Sequence, residues 1–122
     1  MERTCTILVL EDEPVILMDL QLAAEDCGCI ALTASTCEAA LEVLHAQSGS
    51  IDAAVLDVSL GNGLTCLPVA KELDRQGIPY ILHSGDLDRH NERIRELKAE
   101  LISKPAAAAT VISAALAHCH EP

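Results

Sequence analysis

Three acidic residues follow two short apolar segments of the chain. Glu11 and Asp12 come directly after residues 5–10, CTILVL, and Asp57 ends residues 52–57, DAAVLD. If these segments are neighbouring strands, the three carboxylates share one small site, where their charges repel one another unless a cation neutralises them. Hard carboxylate oxygens suit Mg²⁺, which keeps several waters and takes only one or two protein carboxylates. The arrangement therefore predicts a Mg²⁺ site at Glu11, Asp12 and Asp57.

Two further polar residues lie at the ends of later apolar segments. Ser84 closes residues 78–84, IPYILHS, and Lys104 follows residues 101–103, LIS, directly before Pro105. A serine hydroxyl can donate a hydrogen bond to an oxyanion, and a lysine ammonium pairs with phosphate or carboxylate. Each motif could also have a purely structural role, since acidic residues also cap helices and start turns. Only their joint position at one sheet edge makes a functional site the better interpretation.

The segments that position these residues alternate between apolar runs and helical patterns. Strands are predicted at residues 5–10, 29–34, 52–57, 78–84 and 101–103, and helices at 14–27, 37–47, 67–77, within the charged segment 86–99, and at 106–119. Pro14 suits the first turn of a helix and Gly28 its end, while Ser35 or Thr36 can cap the next helix.

Strands that are apolar throughout are typical of a parallel sheet covered on both faces. The sequence predicts one α/β domain over residues 1–122, a three-layer sandwich with a five-stranded parallel sheet in flavodoxin-like order 2-1-3-4-5. In such folds, ligands bind at the carboxyl ends of the strands beside the switch in strand order. That rule brings the ends of strands 1 and 3 together.

Composition narrows the classes of partner and location. The net charge is −11, which disfavours binding to nucleic acid or to an anionic membrane, and no apolar run reaches the roughly 20 residues of a membrane span. The apolar stretch at the N-terminus is too short for a signal peptide. The sequence has six cysteines: Cys5, Cys27, Cys29, Cys37, Cys66 and Cys119. They show no CxxC or zinc-finger spacing, so we predict that they are reduced structural thiols and that the protein is cytoplasmic.

Four motifs, in the right order and spacing, resemble the receiver domain of two-component response regulators over essentially the full chain. ILVLEDEP resembles the first strand of that family with its acidic pair, and AVLDVSLGNG resembles the strand that carries the phosphoacceptor aspartate. ILHSG resembles the strand that ends in the switch Ser/Thr, and ISKP the Lys-Pro that closes the site. The segment around LDVSLGNG is also similar to stand-alone receivers without an output domain.

The resemblance implies a role for each acid. Asp57 would be the nucleophile that takes a phosphoryl group from a phosphohistidine of a sensor histidine kinase or phosphotransfer protein. Asp12, Asp57 and the backbone carbonyl of Ser59 would bind Mg²⁺, with Glu11 acting largely through water. The metal would offset charge as the phosphoryl group enters.

The resemblance also implies roles for the two later residues and for partners. Lys104 would pair with one phosphoryl oxygen, and Ser84 would swing in to bond another. The protein would be a signalling protein, rather than an enzyme, which acts through contacts with a downstream target. A homodimer is a further possibility.

The sequence departs from the family pattern where the phosphorylated state is read out. Leu101 stands three residues before the lysine, where many receivers have a rotating Tyr or Phe, and Asp86 stands where some stand-alone receivers have an aromatic residue. The charged segment 86–99 has a thin apolar stripe. We therefore expect it to be the mobile element that phosphorylation shifts.

Three other functions compete with this interpretation. A haloacid-dehalogenase type of enzyme also uses an aspartate nucleophile with Mg²⁺, but it needs a second acid where this chain has Ser59. A flavodoxin would need a Ser/Thr-rich phosphate loop and aromatic residues that stack on flavin. The main alternative is a receiver-like adaptor that binds partners with little or no phosphorylation.

Overall fold

A single parallel sheet with helices on both faces carries the site. The computed structural model describes residues 4–61, 63–85, 96–97 and 99–119. The strands are β1 Thr6–Leu10, β2 Ile30–Ala34, β3 Ala53–Asp57, β4 Tyr80–Ser84 and β5 Glu100–Ser103. The described helices are α1 Pro14–Asp26, α2 Cys37–Ala46, α3 Leu67–Gln76 and α4 Ala108–Cys119. The sheet order is β2-β1-β3-β4-β5 with every pairing parallel, so the predicted fold class is confirmed. Most of the predicted helix at 86–99 lies outside the described residues.

The core is divided into two layers by the sheet. Successive strand residues point to opposite faces. Leu8, Leu56 and Leu82 belong to a cluster that includes residues of α2 and α3. The residues before them, such as Ile7 and Val55, belong to a second cluster with residues of α1 and α4. Each fully buried aliphatic side chain of this kind contributes about 1.5–3 kcal/mol, so a core almost without aromatic residues is sufficient.

Local signals set the helix ends where the sequence predicts them. Pro14 opens α1, and Gly77 ends α3 with a φ of 74°, in the left-handed region that favours glycine. Thr36, rather than Ser35, caps α2, because its side-chain oxygen accepts a hydrogen bond of 3.1 Å from the N–H of Ala39. The helices α1 and α2 thus begin soon after β1 and β2 end, and α3 ends shortly before β4 begins.

The prediction of six reduced cysteines is wrong for one pair. Cys5, directly before β1, and Cys119, the last residue of α4, form a disulfide across 114 positions of sequence. Spacing rules reveal only cysteines that are near each other in sequence, whereas the packing of α4 against the sheet brings this pair together. The other four cysteines keep their thiols. None of the described helices combines the length and hydrophobicity that a membrane crossing requires.

Candidate functional site

Three carboxylates meet at the carboxyl edge of the sheet, beside the switch in strand order. Leu10 of β1 lies in register with Leu56 of β3, so the next residues, Glu11 and Asp57, come side by side. Carboxylate oxygens of Glu11, Asp12 and Asp57 all lie within 4.8 Å of one another. The predicted convergence of these acids is therefore confirmed.

Lys104 joins this cluster from the end of β5. Its ammonium Nζ lies 3.1 Å from Asp57 Oδ1 and 3.2 Å from Glu11 Oε1. The backbone fixes its position, because the Lys104 N–H donates a 2.7 Å hydrogen bond to the carbonyl of Ser84. Burial would lower the pKa of Lys104, but the charges of Asp57 and Glu11 outweigh burial and raise it. The lysine thus stays charged beside the acids.

Asp57 is buried in a setting that disfavours its charged form. Only 2% of its surface is exposed, and burial is the main cause that raises its pKa well above the usual value for aspartate. The neighbouring carboxyl groups of Glu11 and Asp12 raise the pKa of Asp57 further, while the positive charge of Lys104 opposes the shift. A single lysine is therefore a partial counter-charge for this group of acids.

Glu11 and Asp12 differ in how far their oxygens are already engaged. Glu11 is fully buried, and its Oε2 accepts a 3.2 Å hydrogen bond from the N–H of Glu13, while its Oε1 pairs with Lys104. Asp12 is exposed at the mouth of the site, and a Cβ placed on Gly61 of the loop after β3 would lie 3.7 Å from Asp12 Oδ2. The Asp12 carboxylate is the more accessible of the two.

Three buried oxygens at this edge have no hydrogen-bond partner among the described residues: Glu11 Oε1, Asp57 Oδ2 and Ser84 Oγ. Glu11 Oε1 still lies in an ion pair, 3.2 Å from Lys104 Nζ. Ser59, two residues after Asp57, is exposed, and it forms an isolated antiparallel bridge with Thr65 that shapes the loop. Buried polar atoms are almost always satisfied, so an orphaned carboxylate oxygen beside two further acids fits a bound hard cation such as Mg²⁺.

His83 is a buried polar residue that the sequence interpretation missed. It precedes Ser84 in β4 and lies in register with Asp57, and only 3% of its surface is exposed. Burial, with a smaller contribution from Lys104, lowers its pKa to about 4. The available signal was a lone histidine inside an otherwise apolar strand segment.

We expect His83 to make the protein less stable in acid. The unfolded histidine titrates near its ordinary pKa of 6.5 and the folded one at about 4, so between these values only the unfolded state gains the proton. The unfolding free energy should therefore fall by roughly 2–3 kcal/mol as the pH drops through this range, and His83→Leu should remove that part of the loss.

Urea denaturation of both proteins at several pH values between 4 and 7 measures the effect. His45→Leu is the matched control, because His45 lies exposed on α2. Asp19 and Lys104 face the same cleft as His83 and Asp57 is its register partner. All three groups are kept in every variant. If the unfolding free energy falls equally steeply with decreasing pH in wild type and in His83→Leu, the prediction is contradicted.

Comparison with known proteins gives relatives of known structure. No protein-family model and no curated protein matches the chain. The solution structure of SdrG from Sphingomonas melonis shares 32% identity with it at a TM-score of 0.76, over 98% of both chains. A response regulator receiver domain protein from Clostridium thermocellum shares 26% identity at a TM-score of 0.80, over 94% of both chains. The PhyR stress response regulator shares 27% identity at a TM-score of 0.76, over 98% of this chain and 48% of its own.

The fold and the site by themselves define a class of protein. That class is a doubly wound α/β domain with an acidic cluster and a paired lysine at its switch point. The relatives agree with this class in fold and over nearly the whole length of the chain. The chain belongs to the receiver-domain family of response regulators.

Proposed function

We propose that the protein is a phosphoacceptor response regulator that takes a phosphoryl group onto Asp57 from a phosphohistidine. The observation that carries the proposal is the pairing of Lys104 with Asp57 Oδ1, while Asp57 Oδ2 has no partner among the described residues. Oδ2 attacks the phosphorus, the P–N bond to the donor imidazole breaks, and the imidazole nitrogen keeps the electron pair and takes up a proton. The product is an acyl phosphate on Asp57.

Mg²⁺ belongs to this proposal. The carboxylates of Asp12 and Asp57 and the backbone carbonyl of Ser59 would hold the ion, and Glu11 would act through water. When bound, Mg²⁺ offsets the negative charge of the acids and of the phosphoryl oxygens. The orphaned Asp57 Oδ2 and the open Asp12 carboxylate support this assignment.

Lys104 and Ser84 would stabilise the phosphorylated state. The ammonium of Lys104 already lies 3.1 Å from Asp57, so it can pair with a phosphoryl oxygen after a small shift. The Ser84 hydroxyl is buried without a partner among the described residues, so it has a hydrogen bond to donate to a second oxygen. Leu101 of β5 is half-buried against the core cluster shared with α2 and α3. An aliphatic residue there implies a readout other than aromatic rotation.

The partners follow from this chemistry. The phosphoryl donor would be a sensor histidine kinase or a phosphotransfer protein, and the signal would pass to a downstream protein, or to a second copy of the chain, by contact. A cytoplasmic location is part of the proposal because the kinases that would donate the phosphoryl group use ATP; the cysteines no longer support it, since Cys5 and Cys119 form a disulfide. A role in signalling rather than in metabolic turnover is also part of the proposal. The alternative is an adaptor with little phosphorylation, and the experiment must distinguish it from a phosphoacceptor.

Phosphotransfer profiling tests the proposal. The sensor kinases of the source cell are labelled with radioactive ATP and mixed with wild type or Asp57→Asn, in the presence of Mg²⁺. Rapid transfer from one kinase to wild type, and none to the variant, is the expected result. Transfer from no kinase, together with no labelling by a small phosphodonor, would favour the adaptor.

Asp12→Asn should weaken Mg²⁺ binding more than Glu11→Gln does. The reason is that both Glu11 oxygens are engaged by Lys104 and the Glu13 N–H, whereas Asp12 is exposed at the mouth. We expect a loss of more than about tenfold for the first variant and less than about tenfold for the second.

Calorimetric titration with Mg²⁺ measures both affinities. Asp26→Asn is the control, because Asp26 is an exposed residue at the far end of α1. The reverse order of the two variants would mean that Glu11 is the direct ligand.

A further inference from the structure

A cleft that includes Lys104 but none of the three clustered acids lies beside the site. It opens between α1, the end of β4 and the segment that joins β5 to α4, and its volume is about 180 Å³. Apolar side chains form most of its wall: Ile16, Leu20, Pro105, Ala106 and Ala108. Asp19, His83 and Lys104 complete the lining. The cleft is therefore a small, mainly aliphatic space with few polar groups.

His83 is the polar group in this wall that lacks a partner. Its side chain is 97% buried, because the residue is only 3% exposed, and neither Nδ1 nor Nε2 has a hydrogen-bond partner among the described residues. A neutral imidazole offers one N–H donor and one nitrogen acceptor. Leaving a buried group of this kind unsatisfied is unfavourable, and a ligand that hydrogen-bonds to it would remove part of that cost.

The charged groups of the cleft restrict what can bind there. The Lys104 ammonium is paired with Asp57 and Glu11 at 3.1 and 3.2 Å, on the side of the acidic cluster, so it is not a ready partner for an anion bound in this cleft. Asp19 is an exposed carboxylate of α1, and its negative charge adds to the repulsion of anions. The polar recognition that remains is the donor and acceptor pair of His83.

We propose that this cleft is a binding site for a small neutral ring compound that carries a hydroxyl group, of which phenol is the simplest. A hydroxyl can either donate to the unprotonated ring nitrogen of His83 or accept from its ring N–H, so it satisfies one of the two, while the ring of the ligand covers the aliphatic wall. The size is suitable, since a cavity of roughly 150 Å³ lined by aliphatic and aromatic residues binds benzene. The space also far exceeds the 10–15 Å³, roughly, that a single water needs.

Titration of the whole protein with phenol, followed by the NMR signals of the histidine rings, tests the proposal. The His83 ring signals should shift and saturate, while those of exposed His45 stay in place. Benzene is the matched probe, because it has the ring without the hydroxyl. Phenol should bind about tenfold more tightly than benzene, the factor expected for one net hydrogen bond.

Two variants separate the effect of a hydrogen bond to His83 from the effect of the open volume of the cleft. His83→Leu should lower the phenol affinity about tenfold and leave the benzene affinity unchanged, whereas His45→Leu should change neither. Ala106→Leu should weaken both probes, because it fills the cleft. If His83→Leu fails to fold, the proposal is still tested by the ratio of the phenol and benzene affinities in wild type and by the loss of affinity in Ala106→Leu. Absence of a saturable shift, equal affinity for phenol and benzene, or water alone contacting His83 would overturn the proposal.

Discussion

Asp57→Asn is expected to take up no phosphoryl group from acetyl phosphate, under conditions in which the wild type is labelled. The amide is a poor nucleophile, and the substitution also removes a charged oxygen ligand from the predicted Mg²⁺ site. Labelling should therefore drop to background rather than by a partial factor. Intact-protein mass spectrometry after incubation with donor and Mg²⁺ measures the result directly.

A loss of labelling has to be separated from a loss of folding. Asp57 is buried, and burial raises its pKa, so replacing it with a neutral isostere removes an unfavourable buried charge. The unfolding free energy of Asp57→Asn should thus be equal to or above that of wild type. Asp26→Asn, a change at an exposed aspartate, serves as the control and should be labelled normally. Labelling of Asp57→Asn at the wild-type yield would show that another residue is the acceptor.

Cys119→Ser is expected to lower the unfolding free energy of the oxidised protein by about 3–5 kcal/mol. The Cys5–Cys119 disulfide closes a loop of 114 positions, nearly the whole chain, and cross-linking so long a loop restricts the unfolded state strongly. It also fastens the end of α4 to the beginning of β1. Urea denaturation with and without a thiol reductant measures the difference.

The comparison contains its own controls. Cys27→Ser changes an exposed thiol outside the disulfide and should have little effect. Reduced wild type should unfold close to the Cys119→Ser midpoint, because both lack the cross-link. Equal midpoints for oxidised wild type and Cys119→Ser would contradict a stabilising role for the disulfide.

The fold and the main site were predictable because local chemistry determines them. Buried parallel strands must be apolar throughout, and a charged residue at the end of such a strand stands out. That signal identified Asp57 at the end of β3 and Lys104 after β5, and the strand-order rule brought them together. The structure confirms their juxtaposition at 3.1 Å.

Other features depend on packing that no short stretch of sequence records. The Cys5–Cys119 pair requires knowing that α4 returns to the beginning of β1. The difference between buried Glu11 and exposed Asp12, adjacent residues of the same charge, arises from how the chain turns into α1. The only sequence signal for His83 was a single polar residue in an apolar strand. The cleft that it lines is formed by three separate segments of the chain.

The most direct measurement of the central claim is to locate the phosphoryl group on the wild-type protein. After incubation with acetyl phosphate, with and without Mg²⁺, the protein is digested under conditions that preserve acyl phosphates, and the peptides are sequenced by tandem mass spectrometry. We expect one phosphoryl group, on Asp57, that appears only when Mg²⁺ is present. A phosphoryl group on any other residue, or an Asp57 that stays unmodified while a receiver of established activity is labelled in parallel, would contradict it.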